Sequence, residues 1–252
     1  MNSTAIDGQL IEITSGPPPA TIGDVLTLMR RIDSLLPSGD GLKWFNLLYM
    51  MVTQKVDSSP PQGGWEDSAW LTRLDVVFAQ FYFSAILNWV NSPAQVPTSW
   101  QALFEARYRP GIERIQFALA GMNAHINHDL ALALVQTGAE LNLRPGKTSA
   151  QHEDYEHVNG ILEAVLPQAL QFLATGILGE LAQDTGKIGR LLAIWNVRAA
   201  RDLAWDFAGQ LRCLAGVARD SALAAQDQAT GVLAQVRHGE EVFDLFWPCV
   251  TW

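Results

Sequence analysis

The chain has 252 residues, 48% of them hydrophobic and only 17% charged, and a formal net charge of −9. That is enough apolar material for one large globular core. The lack of a basic cluster argues against nucleic acid and against anionic membrane surfaces as partners. Two cysteines, Cys213 and Cys249, show no metal or redox spacing, which fits a reducing compartment and no disulfide framework.

Met1 to Ala20 is polar, ends in Pro17-Pro18-Pro19 and lacks the layout of a signal peptide. Residues 1–20 read as a flexible or extended lead-in, and residues 21–252 as a single helical domain. Thr21 followed by Asp24 resembles an N-terminal cap. Val25, Leu26, Met29, Ile32 and Leu36 then keep helical spacing. Pro37-Ser38-Gly39 breaks the chain, and Asp40 caps a second helix to about Val56. A loop over Ser58 to Gly64 precedes a helix from Glu66 to Asn91. In it Asp75 sits among Leu71, Leu74, Val76, Val77 and Phe78, where a carboxylate is either a site residue or half of a salt bridge. The longest apolar run, Val76 to Val90, contains Gln80 and Asn88 and is too short for a membrane span. A soluble cytoplasmic protein is expected.

Thr98 opens a short helix through Ala106, and Pro110 suits the first turn of a long central helix. Ile115, Leu119, Met122, Ile126, Leu130 and Ala133 mark its core stripe. Across that stripe runs Gly121-Met122-Asn123-Ala124-His125-Ile126-Asn127-His128-Asp129. His125 and Asp129, four apart, are neighbours on one flank. Asn123 and Asn127 border the other flank, and His128 lies near the opposite face. Buried polar groups need partners, so this density points to a ligand, a metal or a hydrogen-bond network between helices. Gly121 costs about 1 kcal/mol in a helix interior, which suggests the close approach of a helix or ligand.

After the Arg144-Pro145-Gly146-Lys147 turn, a helix carries His152, Glu153, Asp154, Glu156, His157 and Asn159. These are metal-capable residues, or acids that suit a helix N-terminus. Pro167 is expected to kink or restart it. A helical stretch follows from about Asp184 to Arg219, with Arg198, Arg201, Asp202 and Asp206, and a last helix from Ser221 to Arg237. The apolar tail Val242 to Trp252 packs back on the bundle or forms a homodimer. No period-2 pattern or internal repeat competes. The fold expected is all-α, a single-domain bundle of about seven or eight helices.

The run from Phe104 to Leu130, with Leu74-Asp75-Val76-Val77-Phe78-Ala79, Asp154 with Val158, and Ala200-Arg201-Asp202-Leu203-Ala204-Trp205-Asp206, resembles a bacterial family known only as a domain of unknown function. The resemblance spans roughly Ile32 to Gln210. It implies that Asp75, His125, His128, Asp129, Asp154 and Asp202 belong to the family pattern, and it implies no activity.

The expected function is a metal-dependent enzyme of hydrolase or lyase type on a small, partly apolar substrate. Asp75, His125, His128, Asp129 and Asp154 would hold a divalent metal ion (zinc, iron, manganese or magnesium). His125, Asp129 and Asp202 would be catalytic, while His157, Arg198 and Arg201 are left open. The alternatives are a metal-free or terpene-type cyclase with an aromatic-lined pocket, or a non-catalytic small-molecule binder or dimeric scaffold. A scaffold predicts a satisfied polar network without a pocket. An enzyme predicts a cleft reaching His125 and Asp129. No nucleophile elbow, phosphate-binding glycine loop or dinucleotide fingerprint is present.

Overall fold

The computed structural model describes residues 3–174 and 196–234. Among them every regular element is helical: α1 (Ser3–Thr14), α2 (Ile22–Leu35), α3 (Gly41–Ser58), α4 (Ser68–Asn91), α5 (Thr98–Ala106), α6 (Arg114–Ala124), α7 (Leu130–Glu140), α8 (Ala150–Ala174), α9 (Val197–Leu211) and α10 (Gly216–Ala234). This is the all-α bundle read from the sequence. A π-helical turn, His125–Asp129, joins α6 to α7 without a break, so the three form one rod. Around that rod pack α3, α4, α5, α8, α9 and α10. No described helix is long and apolar enough to cross a membrane.

The caps follow the sequence signals. Thr21 Oγ1 accepts the Asp24 N–H (3.1 Å) and the Asp24 carboxylate accepts the Thr21 N–H (3.0 Å), a reciprocal capping box with Asp in the acidic position. The Thr21 hydroxyl, with the Ala20 and Thr21 amides, holds the Asp24 carboxyl below its ordinary value. Asp40 accepts the Leu42 N–H at the start of α3, and Asp67 accepts the Trp70 N–H at the start of α4.

Two glycines explain how α3 and α6 lie so close. A Cβ on Gly121 of α6 would stand 2.3 Å from the Phe45 ring of α3, and one on Gly41 of α3 would stand 2.4 Å from Phe117 of α6. Each ring fills the notch left by the opposite glycine. Burying a phenylalanine stabilises by about 1.5–3 kcal/mol, which outweighs the cost of about 1 kcal/mol for a helical glycine.

The first twenty residues depart from expectation. Residues 3–14 form α1 rather than a lead-in, with Ile6, Leu10 and Ile13 buried against α4 and α2. Three apolar residues spaced four and three apart make a helical stripe, and an ion pair from a buried arginine secures it. Arg107, just after α5, donates from Nε and Nη2 to both oxygens of Asp40 (2.7 and 2.8 Å) and from Nη1 to Asp7 of α1 (2.9 Å).

Other boundaries also move. The central rod begins at Arg114 rather than Pro110, because Gly111 turns the chain at φ 82° and Glu113 caps the helix. Helix α8 runs through Pro167 as one element. The stretch expected to be helical to Arg219 stops at Leu211, and Gly216 at φ 52° opens α10 five residues before Ser221. The apolar tail 242–252, the homodimer expected through it and the first part of the stretch from Asp184 fall outside the described residues.

Candidate functional site

The π turn coincides with His-Ile-Asn-His-Asp. Its widened hydrogen bonding runs from the Leu130 N–H to the His125 carbonyl, and such turns concentrate at functional sites. His125 and Asp129 are both buried, and His125 Nδ1 lies 2.9 Å from Asp129 Oδ2. The pair belongs to one rod, so it does not tie two helices together. A tie comes instead from Trp100 of α5, whose indole N–H donates to the same Asp129 oxygen at 3.1 Å. An indole N–H can only donate. Oδ2 is therefore an acceptor toward Trp100. With Asp129 ionised, His125 Nδ1 carries the ring hydrogen and Nε2 a lone pair.

Nε2 is buried and has no hydrogen-bond partner among the described residues. The imidazole lies flat on Phe78 of α4, centroids 3.5 Å apart at 6°, with the edge of Tyr49 4.5 Å away. Burial alone pushes the His125 pKa well below its ordinary value, so the ring is neutral at pH 7. Burial pushes the Asp129 carboxyl up, while the Trp100 indole opposes the shift.

His125 forms part of the wall of a cavity of about 70 Å³ between α3, α4, α8, α9 and the π turn. Its lining is mostly apolar, with Phe45, Leu74, Phe78, Ile126 and Val158. The polar exceptions besides His125 are Tyr49, Thr53, Asp75 and Arg201. The volume suits a handful of waters or a ligand of a few heavy atoms, since a cavity that takes benzene measures about 150 Å³. Burial raises the Asp75 carboxyl to about 7, against the nearby Arg201 and with help from Asp57.

The other expected site residues do not converge here. His128 faces α10 instead, with Nδ1 3.7 Å from Asp227 Oδ1, and burial lowers its pKa. Asp154 is buried but spends both oxygens on the Glu66 and Asp67 amides (2.8 and 2.7 Å), closing the loop that leads into α4. Asp202 is exposed beside Glu156, and its carboxyl is raised by partial desolvation and by that neighbour. Among the described residues no group of three His, Cys, Asp or Glu is placed to hold a metal ion.

Of the three residues left open, Arg201 joins the cavity. His157 packs its ring edge-on to Trp65, and Arg198 pairs with Glu163 and Glu156. Trp100, Phe78 and Tyr49 are site residues that sequence reasoning missed. Arg201 left a signal: it stands on the stripe Val197, Arg201, Ala204, Trp205, Ala208, all buried.

The opposite face of the rod carries a hydrogen-bonded network that leaves Gln226 Oε1 and His128 Nδ1 without a hydrogen-bond partner among the described residues. Asn127 Nδ2 donates to Asn123 Oδ1 (2.8 Å), and Asn123 Nδ2 donates to the Thr230 carbonyl (2.9 Å). Gln226 donates to the Asn127 carbonyl. Asp227 accepts the Thr98 and Ser99 amides, fixing α10 to the start of α5.

The chain belongs to a family of unknown function, DUF5995, whose model matches residues 22–237. No curated protein and no solved structure matches it.

Proposed function

We propose that the protein is an enzyme that moves a proton to or from a small, largely apolar substrate in this cavity, with His125 as the acid–base group. One observation carries the reading. Nδ1 of His125 is held by Asp129, while Nε2 is buried without a partner in a side chain that lines the cavity. A buried, unpaired ring nitrogen is costly to maintain, and a substrate atom would satisfy it.

The roles follow from the surroundings. Burial keeps His125 neutral, so Nε2 is ready to accept a proton. The imidazolium that forms is stabilised by Asp129, which Trp100 holds in place, the logic of an orienting carboxylate behind a catalytic histidine. Asp75, raised to about 7, exchanges protons near neutral pH and is suited to return one. Phe78 and Tyr49 fix the imidazole plane.

A metal-independent reaction fits the donor set better than the metal-dependent one. Asp129 Oδ2 and both oxygens of Asp154 are engaged, and His128 turns toward α10. A cavity of about 70 Å³ does not accommodate a long isoprenoid chain, which counts against a terpene-type cyclase. A cytoplasmic setting is consistent with two cysteines that show no metal or redox spacing.

The test is proton exchange. The protein is incubated in D2O with small carbonyl compounds bearing an acidic C–H, and deuterium uptake is followed by NMR. Exchange above buffer that is lost in His125→Gln supports the reading. Equal exchange with the variant overturns it. Near-stoichiometric zinc, iron, manganese or magnesium in the purified protein, lost in His125→Ala, would restore the metal-dependent reading.

A further inference from the structure

We propose that the ligand of this cavity is a small organic monoanion, a carboxylate on a short apolar body, with its carboxylate against Arg201. The proposal rests on the reading of this cavity as the functional site. It adds the substrate's charge and size.

Arg201 is buried, 6% exposed, and lines the cavity. Every acceptor it has among the described residues is neutral. Nε donates to Asn159 Oδ1 (2.6 Å) and Nη2 to the Tyr155 carbonyl (2.8 Å). The guanidinium carbon lies 3.9 Å above the Tyr155 ring. These contacts fix the plane of the guanidinium but bring no carboxylate into direct contact with it, and they leave Nη1 without a bond to any described residue. A buried charge needs a counter-charge. Asp75 lines the same cavity and, like Asp202, feels the Arg201 charge, but neither carboxylate makes a direct ion pair with it. The free donor is matched by a ligand oxygen bearing negative charge, the group that guanidinium recognises best.

The rest of the wall limits what that oxygen is attached to. Phe45, Phe78, Leu74, Ile126 and Val158 offer apolar contact only, and about 70 Å³ admits a few heavy atoms. A second charge would find no partner among them. Acetate, propionate and butyrate span the size range. Inorganic phosphate, larger in charge and with no apolar body, does not match this wall.

The test uses the full chain, titrated with sodium propionate, propionamide or sodium phosphate at constant ionic strength. Binding is read by thermal unfolding and by the arginine Nε–H signals in 15N NMR. Propionate is expected to raise the melting temperature saturably and to shift one buried arginine signal. Propionamide should bind at least tenfold more weakly, and phosphate should reproduce neither effect. Arg201→Met should abolish the response. The proposal is overturned if propionamide matches propionate, if phosphate produces the same shift, if propionate gives no saturable response, or if a folded Arg201→Met binds as before.

The comparison of ligands on the unaltered protein needs no variant to fold. The outcomes also separate the two readings. Propionate binding lost in Arg201→Met, with deuterium exchange indifferent to His125, leaves an anion site without the acid–base function. Exchange dependent on His125 without preference for anions leaves the reverse.

Discussion

Among the described residues two arginines are buried, and the bundle treats them in opposite ways. Arg107 is 1% exposed and spends its whole guanidinium on carboxylates, both oxygens of Asp40 and one of Asp7. Arg201 is 6% exposed and meets an amide oxygen, a backbone carbonyl and an aromatic face. The first site is closed: every guanidinium nitrogen meets a carboxylate, and it clamps α1 and the start of α3 to the end of α5. The second is open toward a cavity, as is the nearby imidazole of His125. Closed polar burial holds a fold together, whereas polar burial that stays unsatisfied next to empty space is where a ligand belongs.

The sharpest way to break this contrast is to remove each cation. Arg107→Met leaves Asp40 buried without its partner, and losing one half of a buried pair costs about 3–5 kcal/mol. Urea unfolding should show that loss, with α1 released. Arg201→Met removes two hydrogen bonds to neutral acceptors, but it also removes an unpaired buried charge. Its net cost should be about 1 kcal/mol, set by the acceptors left behind. Equal losses at the two positions would erase the distinction.

A separate effect concerns pH. The Asp75 carboxyl is near 7 in the folded protein against an ordinary 3.8, so the folded state holds its proton more tightly. Its contribution to stability is full below about 4 and falls as pH rises to about 7. Asp75→Asn should flatten that stretch of the stability profile, measured by thermal unfolding at a series of pH values. An unchanged slope would mean that Asp75 is solvated like a surface acid.

Much of the fold was legible because burial imposes a period. The stripe Val25, Leu26, Met29, Ile32 marks α2, and Asp40 marks the start of α3. The stripe of α1 was equally regular, yet it lay between polar residues and a proline run, and its anchor, Arg107, is a hundred residues away. The π turn leaves no periodic trace, since the same five residues fit an α-helix. Its setting includes Gln226 of α10, which no local pattern supplies.

For the site, residue types named the chemistry but not the direction. Asp154 and His128 have the right groups, and they are turned toward backbone amides and α10. His125 with Asp129 was readable from a spacing of four within one rod. Trp100 and Phe78 were not, because their roles arise only where α5 and α4 meet that rod.

Gly121 has a consequence beyond packing. It does not line the cavity, but Phe45, seated in its notch, does. That ring is bounded by Tyr82 at 5.0 Å, Trp100 at 5.3 Å and Tyr49 at 5.7 Å. A methyl group at position 121 would displace it toward the remaining space, which is the cavity. The bore of the site is thus gauged from behind its wall, and alanine or serine at 121 would narrow the range of admissible ligands without altering a single group that touches them.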